Sequence, residues 1–153
     1  MMESTESRDA PVVLLERLVP APPEDVYAAW TDPALMRQWM SPFGHAEVDV
    51  DLRVGGAFRV VMVDAGVQIE HTGKFLAIEP PVRLRFTWIS PYTGADPSIV
   101  SVFLAPDGDQ TRLVLIHEHL PADMVESHAG GWNAMVDRMT GVLAVMAAQE
   151  AVS

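Results

Sequence analysis

Gly131-Trp132-Asn133-Ala134-Met135-Val136-Asp137-Arg138-Met139-Thr140-Gly141-Val142-Leu143-Ala144-Val145-Met146 decides the architecture of this chain. Trp132, Met135, Val136, Met139, Val142, Leu143 and Met146 recur at spacings of three and four, which puts them on one helix face, while Asn133, Asp137 and Thr140 fall off it. No proline interrupts the segment between Pro121 and Gln149, so one long helix is predicted there. Gly130, Gly131 and Gly141 are its weak points, expected to mark a bend or a close backbone approach. A helix with so apolar a stripe needs a surface to lie on.

The preceding sequence supplies that surface. From residue 46 onward the apolar period is about two, and strands are predicted at 46–53, 57–64, 67–79, 82–89, 98–105 and 111–119, after a first strand at 11–19. Gly55-Gly56, Ala65-Gly66, Pro80-Pro81, the stretch Pro91 to Pro97, and Pro106-Asp107-Gly108-Asp109 separate them with short turns, so an antiparallel meander is expected. Alternation assigns Phe58, Val60 and Met62 to one face, with Leu84, Phe86 and Trp88, then Val100, Val102 and Leu104, then Leu113, Leu115 and His117. The other face carries Arg59, Arg83, Arg85, Thr87, Ser101, Arg112 and Glu118, and is wet.

Between the first and second strands the period is helical. Pro23 suits a first turn, Glu24 and Asp25 complement the helix dipole, and Val26, Tyr27 and Trp30 share a face. Asp32-Pro33 restarts the chain as a second short helix with Leu35, Met36 and Trp39 as its stripe, and Ser41-Pro42-Phe43-Gly44 reads as the turn that follows. The fold class is therefore α+β: a curved antiparallel sheet of six to seven strands wrapped around a long C-terminal helix, with two short helices after the first strand. Residues 1–10 show no periodicity and are expected to be a disordered tail, leaving a single domain over 11–150.

Bulk properties narrow the function. The net charge of −11 would repel a phosphate backbone or an anionic membrane surface, so neither nucleic acid nor membrane is expected as a partner. The chain has no cysteine, which removes disulfides, thiolate zinc sites and cysteine nucleophiles. Its first residues are polar and acidic, without the basic and apolar regions of a signal peptide, and no apolar run approaches the roughly 18 residues of a membrane span. A cytoplasmic location is expected.

Specific motifs then support a resemblance. They are Ala21-Pro22-Pro23-Glu24-Asp25 leading into Val26-Tyr27-Ala28-Ala29-Trp30-Thr31-Asp32-Pro33, then Trp39, then Asp51-Leu52-Arg53-Val54-Gly55-Gly56-Ala57-Phe58. Gly73-Lys74-Phe75 follows, ahead of Glu79-Pro80-Pro81-Val82-Arg83-Leu84, with Phe86-Thr87-Trp88 and the Gly131-Trp132 pair completing the set. In their order and spacing, over about residues 12–147, the chain resembles the activator of heat-shock protein 90 ATPase homologue-like family. That family is a branch of the START-like, or SRPBCC (polyketide cyclase, Bet v 1-like), superfamily. The resemblance implies a helix-grip fold and a cavity for a small-to-medium hydrophobic ligand. It also implies two alternatives, a cyclase or hydratase chemistry and a chaperone-associated role, although the additional N-terminal domain associated with the eukaryotic activators is not matched here.

Trp39, Phe58, Met62, Phe75, Phe86 and Trp88 would line such a cavity from the sheet side and the short helices, and Trp132, Met135 and Met139 from the long helix. The competing reading is that these side chains simply fill a core. His71 and His117 are the candidate polar anchors, and the candidate acid-base groups should the domain be an enzyme, with Glu70 or Tyr27 assisting. Period two also places His117 and His119 on one strand face, a half-site without a closing carboxylate, so no metal is expected. His45 and His128 lie near turns or helix starts, where exposure is the default. Arg53 with Gly55-Gly56 reads as a tight hairpin rather than a phosphate loop, because no helix follows. No cofactor motif is present, and the expected partners are a small hydrophobic molecule, a chaperone, or a second copy of the chain.

Overall fold

The computed structural model describes residues 11–42 and 44–152. The expected tail at 1–10, and Phe43 within the Ser41 to Gly44 turn, lie outside the described residues. Seven strands form one antiparallel sheet: β1 Val13–Val19, β2 Ala46–Val50, β3 Ala57–Asp64, β4 Val67–Glu79, β5 Arg83–Trp88, β6 Ser98–Asp107 and β7 Gln110–Glu118. Their order is β1-β7-β6-β5-β4-β3-β2, so β2 to β7 run as a meander and β1 closes the far side against β7.

The two short helices, α1 Pro23–Thr31 and α2 Pro33–Trp39, carry the chain from β1 across to β2. Pro23 sits in the first turn of α1, with Glu24 and Asp25 behind it. The Asp32 carboxylate accepts from the Ala34 N–H at 2.9 Å, which caps α2 and explains the break at Asp32-Pro33. After a single 3-10 turn at Ala122–Met124, α3 runs 28 residues from Val125 to Val152.

Helix α3 lies across the apolar face of the sheet. Trp132, Met135, Val136, Met139 and Leu143 are all buried, as are the inward residues predicted on β3, β5, β6 and β7. Off the stripe, Arg17 of β1 pairs with Asp137 and donates to Asn133 Oδ1 at 2.6 Å, fixing the helix to the sheet edge. Gly130, Gly131 and Gly141 make no close approach, since a Cβ at each would meet nothing within 4 Å. The tight approach is in the sheet instead. A Cβ on Gly73 would lie 1.9 Å from the Thr87 carbonyl oxygen and 2.5 Å from Phe58 Cζ. Directly beyond it the β4–β5 register shifts between Phe75 and Ala77, an irregularity of the kind that bends a strand.

Several strand ends differ from the sequence expectation by one to three residues, and two of them have a clear local cause. β2 stops at Val50 because residues 51–56 fold into a tight loop, in which the Asp51 carboxylate accepts from Arg53 Nε at 2.9 Å and Gly55 takes φ +84°. β7 stops at Glu118, and His119 adopts φ +66°, leaving the strand. His117 is enclosed while His119 is largely exposed, so the two imidazoles do not share a face.

Candidate functional site

All eleven residues assigned to the cavity wall are buried: Trp39, Phe58, Met62, His71, Phe75 and Phe86, and then Trp88, His117, Trp132, Met135 and Met139. Their rings pack closely on one another, and Met62, His71, Trp88, Trp132 and Met135 also border open space. Phe58 stacks on Trp88, meets Phe86 edge to face and tilts against Phe75, with ring centroids 5.3 to 6.0 Å apart. Trp30, absent from the predicted wall, meets Trp39 edge to face at 4.6 Å and Trp132 at 5.8 Å. Trp39 in turn donates its indole N–H to the Ala29 carbonyl at 2.8 Å.

Among the described residues, two spaces border this packed centre. One is a void of about 10 Å³ among Trp30, Met36, Met40, Phe58, Phe75, Phe86 and Trp88, at the threshold of holding a single water. The other is a cleft of about 150 Å³ at the mouth of the fold. Pro42, Met62, Ile69, His71, Trp88 and Tyr92 form one side of it. Ser127, His128, Gly131, Trp132 and Met135 of α3 form the other.

The two candidate histidines have different surroundings. His117 has no exposed surface, and both of its nitrogens are engaged. The Trp132 indole can only donate, so Nδ1 accepts from it at 3.0 Å and the ring proton sits on Nε2. Nε2 donates to Ser98 Oγ at 2.8 Å, and Ser98 passes its own hydrogen to the Trp88 carbonyl. The relay ties α3, β7, β6 and β5 together. Burial, reinforced by His128 and His71, lowers the His117 pKa to about 3, so the ring is neutral at ordinary pH.

His71 is 7% exposed, and its ring lies against Trp88 with centroids 4.7 Å apart. Its Nδ1 is buried without a hydrogen-bond partner, an omission that costs about 1–3 kcal/mol. Burial, then His128, lowers its pKa to about 4; the carbonyls of Ile69 and Val60 pull weakly the other way without meeting Nδ1. At neutral pH His71 is therefore an uncharged imidazole on the cleft wall with unused hydrogen-bonding capacity.

The structure does not bring Glu70 or Tyr27 to this histidine. Glu70 pairs with Arg59 on the outer face, and the Tyr27 hydroxyl donates to the Arg83 carbonyl at 3.0 Å. The expectation of an exposed His128 is also corrected. His128 is half-buried on the cleft, donates from Nδ1 to the Met124 carbonyl at 2.8 Å, and lies 5.3 Å from the His117 ring. Its position on the first turns of α3, one turn before Trp132, was the signal available in the sequence. Among the described residues no cluster of three or more His, Asp or Glu is placed to hold a metal ion, and no helix is long and apolar enough to cross a membrane.

A curved sheet gripping a terminal helix, with an apolar cleft at one end, defines a helix-grip domain. The sequence model of the activator of Hsp90 ATPase homolog 1-like proteins matches residues 20–144, and the chain belongs to that family. Among solved structures, protein CV1439 from Chromobacterium violaceum gives a TM-score of 0.76 at 27% identity, over 86% of this chain and 96% of that one. CalU16 from Micromonospora echinospora gives 0.69 at 29% identity, over 86% of this chain and 73% of that one. An HSP90 activator from Plasmodium falciparum gives 0.73 over 87% of this chain and 96% of that one; at 23% identity this is a likeness of fold. None of the curated proteins compared matches the chain.

Proposed function

We propose that the cleft between β4, β5 and α3 binds a small, largely apolar ring molecule and orients it through His71. The observation that carries this reading is the unpartnered Nδ1 of His71 on a wall otherwise made mainly of Met, Trp, Ile and Tyr side chains. A protein with no use for that nitrogen would be more stable with an apolar residue in its place. Met62 and Met135 have several rotatable bonds, so the wall can conform to an irregular ligand without movement of the backbone. Binding in this reading is positioning alone: His71 has neither Glu70 nor Tyr27 beside it to complete an acid-base pair.

The test uses a panel of one- and two-ring aromatic alcohols, ketones and hydrocarbons, titrated into ¹⁵N-labelled protein. Saturable shifts at the His71 imidazole and the Trp132 indole are expected. Gly131 lies on the cleft, and its Cβ position faces open space, so Gly131→Leu should plug the site and weaken binding at least about tenfold without loss of fold. Shifts that persist unchanged in Gly131→Leu, or no saturable binding by any panel member, overturn the proposal.

A further inference from the structure

The cleft and the interior void share a wall. Trp88 lines both, so its indole is the partition between the mouth of the fold and its centre. On the inner side Trp30 is 1% exposed, and its Nε1 has no partner. An indole nitrogen only donates, and the remaining residues around that void are Phe, Met and Trp, which offer it no oxygen. Each of the two spaces that Trp88 lines is therefore also lined by a residue with an unsatisfied buried nitrogen, Trp30 at the void and His71 at the cleft.

Taking the cleft reading as its premise, we infer that the ligand is a neutral ring compound bearing a carbonyl oxygen, held at its inner end by Trp30 Nε1–H and at its outer end by His71. The oxygen must be an acceptor because Trp30 supplies the hydrogen. A hydroxyl would bring a hydrogen of its own into a space with nothing to receive it, so a carbonyl fits where an alcohol does not. A carboxylate fits no better at the inner end, because the void beside Trp30 is lined by Trp, Phe and Met alone, with no Lys, Arg or His to meet the charge. Room for the inner end comes from Met36 and Met40, whose flexible thioethers flank the void and can turn aside when Trp88 swings.

The matched probes are 1-tetralone, 1-tetralol and tetralin, which share a skeleton and differ in the oxygen. The ketone should bind on the order of tenfold more tightly than the hydrocarbon, the gain of one hydrogen bond to an otherwise unpaired donor. The Trp30 indole proton should move downfield with the ketone alone. Trp30→Phe should erase the preference and leave tetralin affinity in place; if that variant does not fold, the wild-type comparison decides by itself. Equal affinity for ketone and hydrocarbon overturns the inference. So does a His71 shift without a Trp30 shift, which would mean that the ring face of Trp39 already holds the Trp30 hydrogen; the cleft reading survives that result. Failure of every probe at His71 as well removes the cleft reading and this inference together.

Discussion

Trp132 Nε1 donates to His117 Nδ1 across 3.0 Å, and this contact sets the tautomer of a histidine with no exposed surface. The hydrogen on Nε2 then has one use, the bond to Ser98. Replacing His117 by Phe leaves the Trp132 N–H and the Ser98 hydroxyl without their ring partner. Ser98 keeps its bond to the Trp88 carbonyl, so the orphaned Trp132 N–H sets the cost, and His117→Phe should lower unfolding free energy by roughly 1–3 kcal/mol in urea melts at pH 7. Imidazole ¹⁵N spectra should show the Nε2–H form; an Nδ1–H signature would break the relay as drawn.

Acid should expose both buried histidines as a stability cost. An unfolded histidine titrates near 6.5, while the folded values are lowered to about 4 for His71 and about 3 for His117. Below about 6.5 the unfolded chain therefore binds protons that the folded chain refuses. Stability from these two groups is complete above the unfolded value and declines as pH falls, each group contributing a slope of about 1.4 kcal/mol per pH unit. Between pH 6 and pH 4 both act; below about 4 His71 drops out and His117 continues to about 3. Urea midpoints measured across pH 7 to 4 should fall with close to two protons taken up on unfolding, and a flat profile from pH 6.5 to 5 would contradict the neutral assignments.

The glycines separate two physical roles that composition alone merges. Gly73→Ala would drive a methyl group to 1.9 Å from the Thr87 carbonyl oxygen, so β4 and β5 must part or the protein must fail to fold. A loss above about 3 kcal/mol is expected, well beyond ordinary single substitutions. Gly130 and Gly141 lie within α3 with free space at the Cβ position. Alanine at either should raise stability by about 0.5–1 kcal/mol through helix propensity. Thermal melts of the three variants test this directly, and a destabilised Gly141→Ala would point to a contact on that face of α3.

The legible part of the fold was the part governed by period. Phe58, Val60 and Met62 point inward because their strand is regular, and the α3 stripe follows from a helix with no proline in it. Periodicity misled where it was carried past the end of an element, and at Ser101, which alternation put on the wet face and which is buried. His119 was placed with His117 by counting two residues, yet the chain turns into positive φ there. In the same way Asp51 to Arg53 alternate like a strand but close a loop through their own hydrogen bonds. The site was less legible for a different reason. Residue type identifies an aromatic wall, but whether that wall surrounds space depends on packing between strands and helix. The void beside Trp30 and the His71 cleft arise from how α2, β4 and α3 meet, and the unpaired state of Trp30 Nε1 and His71 Nδ1 is set by partners distant in sequence.

His71 should respond to substitution in the opposite sense to His117. Its Nδ1 has no partner to lose, so His71→Phe exchanges a buried unsatisfied nitrogen for an apolar ring that can stay against Trp88. The adjoining cleft of about 150 Å³ accommodates the larger ring. Stability at pH 7 should be unchanged or higher by about 1 kcal/mol, where His117→Phe is destabilised. The stability slope between pH 6 and 4 should fall by about half, because one of its two titrating groups is gone. Panel ligands that use the imidazole should lose about tenfold in affinity in the same variant. Urea melts across pH, paired with the titrations, measure all three quantities on one sample. A His71→Phe protein as destabilised as His117→Phe would mean that His71 carries a structural bond, and the case for a ligand at its nitrogen would fail.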